Sequence, residues 1–122
     1  MIPLREIAFG RSGDKGNSAN IAVFGRTPAA YAWLREHLTS NVVEEYFHPL
    51  GVGTVTRYDV PNLEALNFVL PGVLAGGGSR SLRIDAQGKT LGMALLEMPM
   101  DVPTDLARES RVSGPNQLPP LP

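Results

Sequence analysis

Short polar side chains and glycines concentrate in one segment near the amino terminus, between Arg11 and Asn20. Gly13 and Gly16 allow positive φ angles, so successive backbone N–H groups could point into one concavity and hold an anion. Lys15 adds a cation, and hydrogen-bonding side chains surround it: Ser12, Asp14, Asn17, Ser18 and Asn20. The same residue types also build ordinary hairpin turns. Because the segment matches neither a Walker motif nor a dinucleotide-binding fingerprint, composition alone favours the turn.

A second candidate for anion binding is the run Gly76-Gly77-Gly78-Ser79-Arg80. Arg80 or Arg83 could make bidentate contacts to a phosphate or a carboxylate. A flexible linker explains the same composition, although three consecutive glycines are entropically costly. Asn67 lies close to an apolar stripe and needs a partner there, either in a neighbouring loop, which the pattern favours, or in a ligand.

Several kinds of chemistry are excluded or unsupported by composition. The chain has no cysteine, so disulfides, thiolate catalysis and cysteine-ligated metals are excluded. His37 and His48 are too far apart for a helical metal pair, and no cluster of acidic residues supplies ligand spacing around them, so we expect no metal. A net charge of -1 removes the simplest case for nucleic-acid binding.

The hydrophobic pattern predicts the element order β-β-α-α-β-α-β-β. Residues 4–10 and 20–24 alternate as two strands around a wide loop, and Thr27-Pro28 and Thr39 are start signals for two helices. Residues 54–60 are rich in β-branched residues and predict a strand. A short helix is expected to carry Leu63, Leu66 and Leu70, and residues 81–84 and 90–98 to form a C-terminal hairpin.

These elements predict one α+β domain over residues 1–98, with a mainly antiparallel sheet and helices on one face. The most plausible architecture is a ferredoxin-like two-layer sandwich. Six of the 11 prolines lie in residues 99–122, which predicts an extended C-terminal tail packed on the domain or on a neighbouring subunit of a homo-oligomer. No apolar stretch is long enough to span a membrane, and we expect a cytoplasmic protein without a membrane partner.

Three motifs in order resemble the AtuA-like domain, the C-terminal ferredoxin-fold part of acyclic terpene utilisation proteins, which also occurs as a separate small chain. The first motif is residues 11–21, RSGDKGNSANI. The second begins at Arg57, with RYDVPNL followed by ALNFVL. The third is residues 76–83, GGGSRSLR, with Asp85, Gly88-Lys89 and Leu95-Leu96 after it. The resemblance covers residues 4–98 and leaves out the proline-rich tail.

The resemblance implies a role in the breakdown of branched acyclic terpenoids or related acids, with a coenzyme A thioester as the expected ligand and no other cofactor. It also implies a larger acyclic terpene utilisation-type subunit as partner. It supplies no reaction and no catalytic residues. It favours the view that both glycine-rich segments contribute to one ligand-binding site, formed by these residues: Ser12, Gly13, Lys15, Gly16, Asn17, Asn20, Asn67, Gly76, Gly77, Gly78 and Arg80.

Two alternatives from other functional classes remain open. The chain could be an independent hydratase- or hydrolase-type enzyme on a coenzyme A thioester, with Asp14 and Lys15 as an acid/base pair. It could instead be a structural assembly module that binds no ligand. The sequence leaves open whether any catalysis resides on this chain.

Overall fold

The computed structural model describes residues 1–15, 18–72 and 89–112, and the side chains of all these except residues 14, 15, 89, 90 and 112. Its strands are β1 Ile2–Pro3, β2 Ala8–Lys15, β3 Ser18–Gly25, β4 Thr56–Val60, β5 Ala65–Leu70 and β6 Pro99–Met100. Its α-helices are α1 Pro28–His37, α2 Ser40–Tyr46, α3 Lys89–Leu96 and α4 Thr104–Val112. Short 3-10 turns lie at Leu4–Glu6, His48–Leu50 and Pro61–Leu63.

The main sheet has four strands in the order β2-β3-β5-β4, and all neighbours are antiparallel. β5 pairs with β3 on one side and with β4 on the other, so a distant part of the chain is inserted beside the N-terminal hairpin. In this register Ile21 lies opposite Phe68, and Ala22 lies opposite Asn67. A separate pair of short strands, β1 and β6, joins the two ends of the domain.

One face of this sheet, the helix face, carries the hydrophobic core. Alternate residues of β3 and β5 point to it, among them Ile21, Phe68 and Leu70, which are fully buried. Leu34 of α1 and Leu91 of α3 belong to the same buried cluster. The antiparallel sheet under a helical layer confirms the predicted α+β class.

A glycine allows α3 to approach the edge strand β2 closely. A Cβ atom built on Gly92 would lie 2.9 Å from Ser12 Oγ, closer than real Cβ atoms come to a neighbour. Gly92 is therefore needed for the packing distance between helix and strand. Ser12 consequently points its side chain toward α3.

The two helix starts agree with the sequence prediction. Thr27 Oγ1 accepts a hydrogen bond from the Ala30 N–H at 2.9 Å, and Pro28 is the first residue of α1. Thr39 Oγ1 accepts from the Val42 N–H at 3.2 Å at the start of α2. Each threonine satisfies one of the N–H groups that a helix start leaves without a partner.

The predicted helix through Leu63, Leu66 and Leu70 is wrong, because residues 65–70 form strand β5. The three leucines fit a helical spacing, but Leu66, Phe68 and Leu70 also alternate. The strand is central in the sheet, so its residues on the second face are also partly or fully covered. That coverage hides the polar alternation that a surface strand would show.

The predicted strand over residues 90–98 is also wrong, because α3 occupies Lys89–Leu96. Leu91 and Leu95 are buried and four residues apart, whereas Met93 between them is 66% exposed. These positions lie on opposite sides of a helix, and helix-forming leucine, methionine and alanine dominate the segment. The other predicted arm of that hairpin, residues 81–84, lies outside the described residues.

Two further expectations about connections are corrected. The wide loop between the first strands is wrong, since Lys15 pairs with Ser18 and the ladder continues from Ala8–Gly25 to that point. The extended tail is wrong for Thr104–Val112, which form α4. Ser110 in this helix is fully buried, and α4 packs against the domain. Residues 113–122 lie outside the described residues.

None of the described helices is both long and apolar enough to cross a membrane.

Candidate functional site on the distal face of the sheet

The face of the sheet opposite the helices, here called the distal face, has a different composition from the helix face. It carries the alternate residues of each strand: Phe9, Arg11 and Gly13 of β2, Asn20, Ala22 and Phe24 of β3, Ala65, Asn67 and Val69 of β5, and Thr56, Tyr58 and Val60 of β4. Small and polar side chains predominate in its centre, where packing against a helix would favour large apolar ones.

A depression of about 380 Å³ lies on this face. Its apolar walls and floor are formed by Ala22, Phe24, Val60, Leu63 and Ala65. Ala22 and Ala65 leave space because their side chains end at Cβ, and Phe24 beside them is only 4% exposed. The hollow thus has the volume and the apolar lining typical of small-molecule sites.

Polar groups lie along one side of the same depression: Arg11, Gly13, Asn20 and Asn67. Asn20 Nδ2 donates a hydrogen bond to Asn67 Oδ1 at 3.0 Å, joining β3 to β5 across the distal face. This bond uses one of the two N–H donors of Asn20 and leaves the Nδ2 group of Asn67 without a partner among the described residues. Asn67 can therefore donate to a ligand oxygen.

Arg11 gives the depression its charge. It lies on β2 opposite Ala22 and is partly buried; an arginine side chain carries a positive charge in proteins. The described residues that line the depression include no carboxylate. One positive charge beside an apolar floor and an amide donor favours a ligand with an anionic end and an apolar body.

The structure brings together four of the residues that the sequence predicted for ligand binding, namely Ser12, Gly13, Asn20 and Asn67. Ser12 lines the depression through its backbone, because its Oγ lies on the helix face against Gly92. Asp14 and Lys15 belong to β2, and their side chains lie outside the described residues. Gly16, Asn17, Gly76, Gly77, Gly78 and Arg80 lie outside them too, so the convergence of the two glycine-rich segments stays a prediction.

Sequence reasoning missed Arg11 and the apolar floor. A usable signal was present in β3, where Ile21 and Val23 alternate with Ala22 and Phe24. The prediction of a wide loop hid this signal, because residues of a loop are not assigned to one side of a sheet or the other. Once β2 runs to Lys15, Arg11 falls on the same face as Asn20.

The histidines do not contribute to this site. The His37 ring stacks on Trp33 with the ring centroids 4.4 Å apart, and its Nδ1 lies 3.0 Å from the Trp33 carbonyl oxygen. His48 is exposed in the turn that follows α2. Within the described residues no three potential metal ligands come together.

The antiparallel sheet, its single helical layer and the distal depression define an α+β domain of the ferredoxin-like type. The chain belongs to the AtuA ferredoxin-like domain family, whose model matches residues 2–101. This match confirms the resemblance and the predicted fold, and it relates the domain to acyclic terpene utilisation proteins. A comparison with curated proteins and one with solved structures found no match.

Proposed function

We propose that this chain is a ligand-binding partner subunit for a larger acyclic terpene utilisation-type protein, and that it holds a branched acyl ligand on its distal face. The observation that carries this proposal is the depression itself, in which Arg11 and Asn67 border an apolar floor that contains no described carboxylate. A branched apolar acid, free or as its coenzyme A thioester, matches both the apolar floor and the polar side formed by Arg11 and Asn67.

The residues that line the depression offer the ligand both apolar and polar contacts. The apolar chain of the ligand is removed from water by Phe24, Leu63 and the two alanines, which contributes roughly 25 cal/mol for each Å² buried. The Arg11 guanidinium and the Asn67 amide then orient the anionic end. Asn20 holds the Asn67 side chain through its hydrogen bond and so fixes the direction of the remaining donor.

The two glycine-rich segments extend this site in the proposal. Gly16 and Asn17 connect β2 to β3 and follow directly after the strand that carries Arg11 and Gly13. Lys15 would add a second cation, and Gly76 to Gly78 with Arg80 would supply further N–H donors. The contributions of both glycine-rich segments are expectations to be tested together with ligand binding. A cytoplasmic location and a homo-oligomer are further expectations.

Calorimetric titration with 3,7-dimethyloctanoic acid, and separately with its coenzyme A thioester, tests the proposal. We expect Arg11→Gln to raise the Kd at least about tenfold, because a hydrogen bond to a charged group is lost. Ala22→Leu should abolish binding by filling the depression. Arg108→Gln on α4 and Val69→Leu, which lies on the distal face outside the lining, are the matched controls.

The result that overturns the ligand site is equal binding, or none, by the wild type and by both the Arg11 and Ala22 variants. Lys15→Ala and Arg80→Ala extend the test to the glycine-rich segments: unchanged affinity in both removes them from the site. Affinity capture from the source cell tests the partner role. Recovery of an acyclic terpene utilisation-type polypeptide supports that role, and its consistent absence contradicts it.

A further inference from the structure

A second depression, of about 310 Å³, is lined by four charged side chains: Arg5, Glu6, Arg26 and Arg111. They come from three separate parts of the chain, namely the turn after β1, the residue after β3 and the last turn of α4. We call this group the arginine cluster. None of its residues lines the distal depression.

Glu6 is the organising carboxylate of the arginine cluster. Arg111 Nε donates to Glu6 Oε1 at 2.8 Å, and an Arg5 terminal amino group donates to Oε2 at 3.0 Å. These contacts, the Arg111 hydrogen bond foremost, lower the pKa of Glu6 against the opposing effect of its partial burial. Glu6 is therefore ionised at neutral pH and holds two guanidinium groups in place.

Arg26 is fixed by different contacts. Its Nε donates to the Arg5 carbonyl oxygen at 3.1 Å, and its guanidinium carbon lies 4.0 Å above the centroid of the Phe9 ring. Burial lowers the pKa of Arg26, although the charge on Glu6 opposes the change. Arg26 is thus a partly desolvated cation held over an aromatic ring, where interactions with anions are stronger than in water.

Among the described charged groups at this depression, cations outnumber carboxylates. Three arginines face Glu6 and, through an Arg5 Nε contact of 2.9 Å, Glu97. Arg111 donates only through Nε within the described residues, so its two terminal amino groups remain available. Planar guanidinium groups with spare N–H donors match the oxygens of a phosphoryl group better than a single ammonium does.

We propose that the arginine cluster is a second binding site, for a phosphoryl group presented as pyrophosphate or as a phosphate ester. A doubly charged anion interacts with all three guanidinium groups and outweighs the repulsion from Glu6. The group could come from a separate molecule or from the far end of the ligand in the distal depression. Phe9, beneath Arg26, pairs with Phe24 of that depression, so the two sites are neighbours; the second source alone rests on the proposed function.

Calorimetric titration with inorganic pyrophosphate at low ionic strength tests the site without any acyl ligand. We expect Arg26→Gln and Arg111→Gln each to weaken binding about tenfold or more. Arg108→Gln removes an exposed arginine from the same helix as Arg111 and should leave the affinity unchanged. An equal loss of pyrophosphate affinity in all three variants would show that the anion is attracted by general surface charge, and it would overturn the proposal. Undetectable binding by the wild type would also overturn it.

Glu6→Gln separates a binding role from a structural one. If the cluster binds the anion, removing the competing carboxylate tightens binding several-fold even while it loosens the link to α4. If the arginines only tie α4 to the domain, the variant weakens or leaves unchanged the pyrophosphate affinity of the folded protein, and the proposal fails. If Glu6→Gln does not fold, Arg111→Lys takes its place in the test. This variant keeps the charge but loses the planar guanidinium group, and we expect it to weaken pyrophosphate binding severalfold.

A second series identifies the source of the phosphoryl group. If it belongs to the acyl ligand, Arg111→Gln weakens binding of the coenzyme A thioester of 3,7-dimethyloctanoic acid and spares the free acid. If it belongs to a separate molecule, pyrophosphate and the thioester bind together without competition. Either result supports the site. Pyrophosphate binding by a wild-type protein that binds neither the free acid nor its thioester would contradict the proposed function and leave the arginine cluster standing.

Discussion

The two faces of the four-stranded sheet are built from the same strands and have opposite characters. On the helix face, β3 and β5 present Ile21, Val23, Leu66 and Phe68, all completely buried. On the distal face the neighbouring positions are Asn20, Ala22, Ala65 and Asn67. The first set maximises buried apolar area, whereas the second leaves a hollow and pairs its amides with each other. The hydrophobic core and the proposed ligand site thus use alternate residues of the same strands.

The largest expected contrast between the faces is in stability. Phe68→Ala removes a fully buried ring from the helix face, and we expect it to lower the free energy of unfolding by about 3–5 kcal/mol. Val69→Ala, one residue along on the distal face, should cost about 1 kcal/mol or less. Urea denaturation of both variants measures the difference, and equal losses would contradict the division of roles.

A polar residue at the edge of the helix face should show the next largest effect. Arg57, whose side chain is 20% exposed, donates at 2.8 and 3.1 Å to the carbonyl oxygens of Arg35 and Leu38, where α1 ends, and lies 3.0 Å from Asp59. Arg57→Met leaves those carbonyls without their donor, and we expect a loss of roughly 1.5–3 kcal/mol. A loss below about 0.5 kcal/mol in chemical denaturation would show that water replaces the guanidinium at no cost.

The arginine cluster borders the distal face where Arg26 lies over Phe9, and it should matter less for stability than the core or Arg57. Because the folded state lowers the pKa of Glu6 below its usual value near 4.5, Glu6 stabilises the fold above that pH, and the contribution disappears as the pH falls through the lowered pKa. Arg111→Gln should therefore cost about 0.5–1 kcal/mol near neutral pH. The variant should also lose less stability than the wild type on acidification. Thermal denaturation between ~pH 7 and ~pH 3 measures both, and parallel curves for the two proteins would contradict the assignment.

The smallest expected effect on stability belongs to the distal face itself. Asn20 and Asn67 share one hydrogen bond in an exposed setting, so Asn67→Ala should change the free energy of unfolding by only about 0.5 kcal/mol. The same variant should weaken binding of the branched acid severalfold, because it removes the donor that faces the ligand. A large stability loss with unchanged binding would reverse the comparison between the faces.

The sequence predicted the layered α+β architecture and both threonine caps, because those features depend on local signals. A threonine before the first helical residue specifies a helix start wherever the helix later packs. Local signals did not show that residues 65–70 form a strand and that residues 89–96 form a helix. Leu66 and Leu70 fit both the helical and the strand periodicity. Pairing with β3 and β4 on its two sides is what makes this segment a strand.

The candidate site was predictable in part. Gly13 was selected for its backbone freedom, and Asn20 and Asn67 for their short polar side chains. They meet because β5 pairs with β3 in a register that local sequence does not specify. Arg11 and the alanines were missed because their role depends on which side of a strand they occupy. The arginine cluster joins residues 5, 26 and 111 and has no local signature of any kind.

The helix α4 shows where the folding unit ends. The family model stops at residue 101, yet Val102, Ala107 and Ser110 are buried beyond it, and Arg111 reaches back to the first turn of the chain. Anyone who trims this protein to the family boundary therefore removes part of its hydrophobic interior and one wall of a charged hollow. A fragment intended for crystallisation or for reconstitution with a larger subunit should extend at least through residue 112.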